Sequence, residues 1–355
     1  GLEYNKSGSL AAVIRAEPDV ENNGYKKSLY LIDGDTVKPF ITDGKVGGFI
    51  WEDDEHILFA ANRSDAEKKR RESGDMFTAY YRISVKGGEA LPAFTLPFTA
   101  LSIDKISDEL FAATGAVDVN YPDFYTYDAD KRKETAAKYK AEADYEVIDE
   151  NPWWFNGTGM INKKRCGLFV CNVKTGEVKM ITPANFRVGD YCEKDGVIYY
   201  AGEEYTEKMA DVHFIYSYDT KTGRTKQLTE KPMSVSYMDC VNNMLVISGS
   251  YKETYGVSQS DCLYKLSFDG GEPEMFLYTE QGPGNSVGSD CRLGGNGRFA
   301  TDGDKVYFVS TVVNAAHLIC SDFSGKAETI IGIEGTVDGF DIKKGKIILV
   351  GMYDK

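Results

Sequence analysis

The sequence predicts an all-β fold: a β-propeller of the seven-bladed type, with six complete four-stranded blades, a partial seventh and a small helical insertion in blade three. Three observations predict it. One hairpin pattern recurs six times along the chain. The copies are spaced as propeller blades are, and the apolar residues between them do not show the three-and-four spacing of helical repeats.

The clearest copy runs over 168–182: Leu-Phe-Val-Cys-Asn-Val, a Lys-Thr-Gly-Glu turn around Gly176, then Val-Lys-Met-Ile-Thr. Val, Ile and Phe favour extended backbone, and the glycine supplies the positive φ that the turn needs. The other copies turn around Gly34, Gly88, Gly223, Gly271 and Gly325, so successive anchors lie 54, 88, 47, 48 and 54 positions apart. A strand-rich period of roughly 45–55 residues is that of a blade. The one long gap requires an insertion.

The units follow in order, at about 8–44, 45–98, 99–184, 185–231, 232–281, 282–333 and a partial 334–355, read together as one propeller domain. Unit one opens with the apolar strand 9–14 and a polar turn over 17–24. Unit two carries inner strands at 48–51 and 56–60, then a charged excursion over 64–73 that reads as a solvated loop or helical turn. Unit three opens at 100–103 and 109–113 and then inserts 120–149, whose Ala-, Lys- and Glu-rich part at 128–145 favours an exposed helix. Units four, five and six have inner strands at 191–192 and 197–200, 234–238 and 244–247, and 299–300 and 306–309. Strands at 337–341 and 346–350 begin a seventh unit, and the chain ends before its hairpin.

Composition narrows the function. Aromatic content of 12%, 36 Gly and only 10 Pro fit many strands joined by tight turns. A formal charge of −14 excludes the basic footprint that nucleic acid and anionic membrane surfaces require. The seven cysteines are odd in number and contain no C-x-x-C pair, so they read as buried free thiols in a reducing, cytoplasmic setting. No apolar run reaches the length of a membrane span, and no secretory segment opens the chain.

The order of residues also resembles a known family. Strand 10–14, the Glu-Pro-Asp-Val-Glu loop at 17–21, Tyr25-Lys-Lys-Ser and Leu-Tyr-Leu-Ile-Asp at 29–33 are similar to its opening. The most specific match is Tyr-Glu-Val-Ile-Asp-Glu-Asn-Pro-Trp-Trp-Phe-Asn-Gly-Thr-Gly at 145–159, preceded by the charged insertion. The chain resembles the N-terminal β-propeller of acylaminoacyl-peptidase-like members of the prolyl oligopeptidase family of serine peptidases. The resemblance implies a seven-bladed propeller that gates access of short peptides to an α/β-hydrolase domain carrying a Ser-Asp-His triad. That hydrolase domain, the implied partner, is absent from this sequence, so no catalytic residue and no cofactor is expected here. The alternative is a stand-alone propeller that binds a protein partner, since propellers host many functions. Further copies of the chain are allowed as partners under either reading.

Individual motifs are weak by comparison. Gly284-Asn-Ser286-Val-Gly288 matches G-x-S-x-G, but neither a buried strand nor a helix flanks it, so it reads as a loop between blades. His56, His213 and His317 all fall in blade scaffold with no metal-ligand spacing. Glu203 and Glu204, after the 197–200 strand, are similar to the paired carboxylates with which some relatives hold a substrate amino terminus, and they are the substrate-binding candidates. The acidic turns Asp33-Gly-Asp35 and Asp302-Gly-Asp304 lack a calcium-loop pattern and read as turns. The Asn156-Gly-Thr158 sequon reads as a turn too. Trp153 and Trp154 could form an aromatic binding face, and packing beneath the insertion is the preferred reading.

Overall fold

The computed structural model describes residues 1–287, 293, 299–332 and 334–353. Strands dominate, and they form two compact units, one of residues 1–59, 84–88 and 228–355, the other of 60–83 and 89–227.

In the first unit, Leu2–Tyr4, Ala11–Asp19, Gly24–Asp33 and Thr36–Ile41 pair in chain order as an antiparallel meander. Ser234–Val241, Met244–Ser250, Cys262–Ser267 and Glu274–Leu277 form a second sheet with the same order. A third runs through Phe299–Asp302, Lys305–Val312, Ala315–Ser321 and Ala327–Ile331. These two sheets share a core in which Val246, Leu263, Val306 and Phe308 are buried together. The short first strand meets the last hairpin of the chain, where the Tyr4 N–H donates to Asp341 Oδ2 at 2.7 Å.

In the second unit, Ala100–Lys105, Leu110–Asp118, Lys164–Asn172 and Val178–Met180 form one meander. Phe186–Lys194, Val197–Glu204, Phe214–Asp219 and Arg224–Gln227 form another. Leu168, Phe186, Ile198 and Tyr200 fill the core they share. A sixth sheet has the same order through Phe49–Trp51, His56–Ala60, Thr78–Ser84 and Leu91–Leu96. Its first hairpin counts largely with the first unit and its second with the second.

The described residues therefore form six blades, five of them four-stranded sheets and the sixth a four-stranded meander carrying two further strands, where the sequence reading expects part of a seventh. The difference lies in Gly335–Lys343 and Lys346–Tyr353, an antiparallel hairpin that belongs to the sheet of the sixth blade. A single parallel bridge, Ala316 to Thr336, joins it there, and Val337, Phe340 and Ile342 pack into the core of that sheet.

The six anchor glycines sit where the hairpins turn, and all have positive φ: 55° at Gly34, 106° at Gly88, 77° at Gly176, 70° at Gly223, 132° at Gly271 and 83° at Gly325. Two of the turns are chemical copies. Asn172 Oδ1 accepts the N–H groups of Lys174 and Thr175, and Asp219 Oδ1 accepts those of Lys221 and Thr222. Gly176 and Gly223 then close the turns by donating to the carbonyls of Asn172 and Asp219.

A second repeat was not anticipated. In four hairpins the first strand carries one extra residue just where the second carries a glycine. Leu101 bulges opposite Gly115, Gly189 opposite Gly202, Ser236 opposite Gly249 and Asp338 opposite Gly351. A Cβ on Gly202, Gly249 or Gly351 would fall 2.4, 2.0 and 2.0 Å from the carbonyl oxygens of Arg187, Ser234 and Thr336, so the bulged strand presses directly on the glycine.

Two α-helices among the described residues stand outside the sheets. The 64–73 excursion contains the α-helix α1 (Asp65–Glu72), more than the loop or single turn expected, because Ser64 and Glu67 form a reciprocal capping box. Helix α2 (Ala129–Ala141) lies between Leu110–Asp118 and Lys164–Asn172 and is capped by Asp128. Arg132 of α2 is buried, and its guanidinium is met by Asp75 Oδ1 and by the carbonyls of Met76, Pro97 and Phe124. One fully bonded cation thus fastens an otherwise polar helix.

Candidate functional site

Glu203 and Glu204 end the Val197–Glu204 strand, whose successive side chains leave opposite faces. The strand pairs them with Arg187 and Phe186. Glu203 is buried and Glu204 is exposed. The structure therefore does not bring the two carboxylates together. It brings Glu203 to His213, with 2.6 Å between Oε2 and Nε2, and to Arg187, with 3.9 Å between Oε1 and NH1.

The backbone makes this approach feasible. Gly189 bulges out of Phe186–Lys194, and its open face is where the His213 ring rests, 3.6 Å from the position a Cβ would take. Gly202 clears the way for the Arg187 carbonyl and the Phe186 ring. Besides these ion-pair contacts, both Glu203 oxygens are buried with no hydrogen-bond partner among the described residues, and so is His213 Nδ1. Buried polar groups left this way call for a reason beyond stability.

Two residues beyond Glu203, Tyr205 leads to a second buried charge pair. The Tyr205 ring lies 3.6 Å beneath the guanidinium of Arg165, and its carbonyl accepts from Arg165 NH2 at 3.0 Å. Burial raises the Tyr205 phenol above its usual range, so it stays neutral. Arg165 also grips Glu150 in a fork, 2.6 and 3.1 Å, and Glu150 accepts the Lys163 N–H at 2.8 Å. Burial alone would raise Glu150, but the Arg165 and Lys163 contacts outweigh it and hold the carboxyl below its ordinary value. Glu150 lies inside the 145–159 motif and Arg165 six residues beyond it, yet no sequence pattern singled out either as a paired charge.

Apart from Glu150, that motif stays at the surface. Asn151 is tied to the 207–209 segment by the bonds Asn151 N–H to Glu207 O and Met209 N–H to Asn151 O. Beyond it, Trp154–Phe155 pairs with Gly159–Met160 as a two-stranded ribbon. Trp153, Trp154 and Phe155 remain 44%, 50% and 39% exposed, so packing beneath the insertion is not what these rings do. Tyr145, Val147 and Ile148 are exposed beside them in sequence, giving the segment a run of uncovered apolar side chains.

The remaining candidates lie apart from this site. Ser286 is exposed in a loop, its N–H given to Thr311 Oγ1 at 2.8 Å, and Gly288 of the same motif lies outside the described residues. His56 is held by Asp53, with both carboxylate oxygens 3.0 Å from Nδ1, and His317 lies in the strand Ala315–Ser321. Among the described residues, no three His, Cys, Asp or Glu side chains gather in a metal-binding cluster. Nor is any helix among them long and apolar enough to cross a membrane.

No protein-family model matches the chain, and no curated protein does. Solved structures do. Acylaminoacyl peptidase from Pyrococcus horikoshii superposes with a TM-score of 0.66 at 17% identity, over 97% of this chain and 47% of its own. The β-propeller domain of the trilobed protease from Pyrococcus furiosus, described as having an open velcro topology, gives 0.61 at 13% identity, over 99% and 89%. An oligogalacturonate lyase solved with manganese gives 0.54 at 12%, over 92% and 75%. The chain spans about half the length of the acylaminoacyl peptidases it matches. At these identities the likeness is one of fold, and that fold is the β-propeller that acylaminoacyl peptidases and the trilobed protease carry.

Proposed function

We propose that this chain is the non-catalytic propeller domain of a prolyl-oligopeptidase-family serine peptidase, of acylaminoacyl-peptidase or dipeptidyl-peptidase type, and that it gates the access of short peptides to an α/β-hydrolase domain. The observation that carries this reading is the superposition on acylaminoacyl peptidase along 97% of the chain while spanning 47% of that enzyme. In this reading the chain is one propeller domain, and the Gly335–Tyr353 hairpin is the inner half of a seventh blade. Its bulge at Asp338 opposite Gly351 supports this, because it repeats the pairing of three inner hairpins elsewhere. Helix α2 is then the insertion of the third blade. The free thiols fit a reducing, cytoplasmic setting.

Glu203 and Glu204 are the acidic candidates for a peptide amino terminus within this reading, with an unequal division of work. Glu204 presents its carboxylate to solvent, whereas Glu203 is held beside His213 and Arg187. The test is the open reading frame of the source gene. It is expected to encode a Ser-Asp-His hydrolase domain beyond residue 355, and its product is expected to hydrolyse short acylated peptides that residues 1–355 alone leave intact. A frame that stops at 355 would overturn the reading.

The uncovered Trp153, Trp154 and Phe155 favour one alternative, a propeller that docks a protein partner through this ribbon. That reading predicts that Trp153→Ala with Trp154→Ala abolishes capture of a specific partner by the isolated chain.

A further inference from the structure

A cavity of about 410 Å³ opens in the second unit beside the strands Leu110–Asp118 and Lys164–Asn172. Its walls are aromatic. Phe98 and Phe169 stack with ring centres 4.1 Å apart, Tyr125 meets Phe169 edge-on at 5.3 Å, and Tyr121 meets Tyr139 edge-on at 5.2 Å. Gly115 lets Phe98 lie flat on the sheet, since a Cβ there would fall 2.4 Å from that ring. Ala116, also in the wall, is exposed and marks the mouth. Protein interiors rarely leave voids much larger than a water molecule, whereas sites for small ligands occupy roughly 300–1,000 Å³.

Two opposite charges complete the wall. Asp118 and Lys164 are register partners on adjacent antiparallel strands. Asp118 is held in place, with Oδ2 accepting from the Tyr139 hydroxyl at 3.0 Å and Oδ1 from the Asn120 N–H at 2.8 Å. Burial, and then the Asp118 charge, keep the Tyr139 phenol above its ordinary range, so it remains a donor. The Lys164 ammonium has no ion-pair partner among the described residues, although Asp118 is its cross-strand neighbour. A fixed carboxylate and an uncommitted ammonium are thus borne by neighbouring strands in the wall of an aromatic cavity.

We propose that this cavity binds a small zwitterion with an aromatic side chain, of the class of a free aromatic amino acid. Its ammonium sits on Asp118, its carboxylate on Lys164 and its ring against the half-buried Tyr121 and Tyr125, with the buried Phe98–Phe169 stack as the floor. Register partners on antiparallel strands have Cα atoms about 4.5–5.5 Å apart, which suits two charged groups borne on one carbon. The tyrosine and phenylalanine faces add attraction for the ammonium as well as apolar cover for the ring. This site needs no hydrolase domain and is independent of the peptidase reading.

Calorimetric titration of the whole chain with L-phenylalanine, phenethylamine and 3-phenylpropionate tests it. Phenylalanine is expected to bind saturably, and each singly charged analogue at least about tenfold more weakly, the equivalent of one lost ionic contact. Lys164→Gln, at an exposed position, is expected to abolish the preference for phenylalanine over phenethylamine. Asp118→Asn is expected to abolish the preference over 3-phenylpropionate. Ala116→Trp at the mouth is expected to abolish binding of all three at unchanged melting temperature. No saturable heat up to about 10 mM phenylalanine would overturn the proposal. So would equal affinity for the three probes, or binding that Ala116→Trp leaves intact.

Discussion

Glu150 and Arg165 face each other as a forked ion pair, with oxygen–nitrogen distances of 2.6 and 3.1 Å and side chains only 1% and 0% exposed. The pair ties the segment that leads into the exposed tryptophans to the Lys164–Asn172 strand. Removing one partner strands the other charge in a place that water does not reach. Arg165→Met and Glu150→Gln are each expected to lower the unfolding free energy by about 3–5 kcal/mol, read by urea denaturation. The double variant should lose less than the two single losses combined, since neither partner is then left alone.

The same pair gives a pH dependence with a definite sign. Burial works against ionised Glu150, and Arg165 and Lys163 overcome it, so the folded carboxyl lies below its ordinary value of 4.5. A depressed carboxylate contributes stability that is complete above its unfolded pKa and is lost as pH falls through the folded one. The stability gap between the native chain and Glu150→Gln should therefore be full at neutral pH and shrink in acid below about 4. A gap that widened on acidification would contradict the assignment.

Most of the fold was legible because hairpin turns are local. The positive φ that Gly176 and Gly223 supply, and the Asn172 and Asp219 side chains that close their turns, sit within six residues of each other in sequence. Blade count was less legible, because the last hairpin differs from the others only in what its edge meets, here a single bridge to Ala316. The candidate site was legible only in part. Glu203 and Glu204 are adjacent in sequence, yet strand geometry alone sends them to opposite faces. Glu150 finds Arg165 across 15 positions, and no periodic pattern announces such a pair. A glycine within the second inner strand, Gly115, Gly202, Gly249 and Gly351, was the signal for the bulges, visible only on aligning the units.

Glu203 offers a contrast with Glu150. It is buried beside His213, but its oxygens make no hydrogen bond among the described residues, so the desolvation cost of its charge offsets what the His213 contact contributes. Glu203→Gln is expected to change the unfolding free energy by less than about 1 kcal/mol. Glu204→Gln, at an exposed position, should change it by less than about 0.5 kcal/mol. A loss from Glu203→Gln as large as that from Glu150→Gln would show that Glu203 serves the fold.

The buried cysteines are expected to be inert in the native state. Burial pushes the Cys171 thiol up to about 12 and raises Cys166 and Cys320 as well, leaving almost no thiolate at neutral pH. Labelling with an aromatic disulfide reagent at pH 8, followed by peptide mapping, should modify Cys171 only after denaturation. Rapid labelling of native Cys171 would refute its burial.

The bulge–glycine pairing yields a comparison between hairpins. Gly202, Gly249 and Gly351 each face a backbone carbonyl at 2.0–2.4 Å from where a Cβ would lie. An added methyl must displace main chain, not a flexible side chain, and the cost falls on the ladder around the bulge. Each Gly→Ala change should therefore destabilise by about 1–3 kcal/mol. The value at Gly351 carries extra information. If the Gly335–Tyr353 hairpin is folded into the structure as firmly as the inner hairpins of complete blades, Gly351→Ala should lower stability as much as Gly202→Ala. If that hairpin opens separately, Gly351→Ala should leave the main unfolding transition unchanged and instead speed hydrogen exchange in residues 335–353 alone.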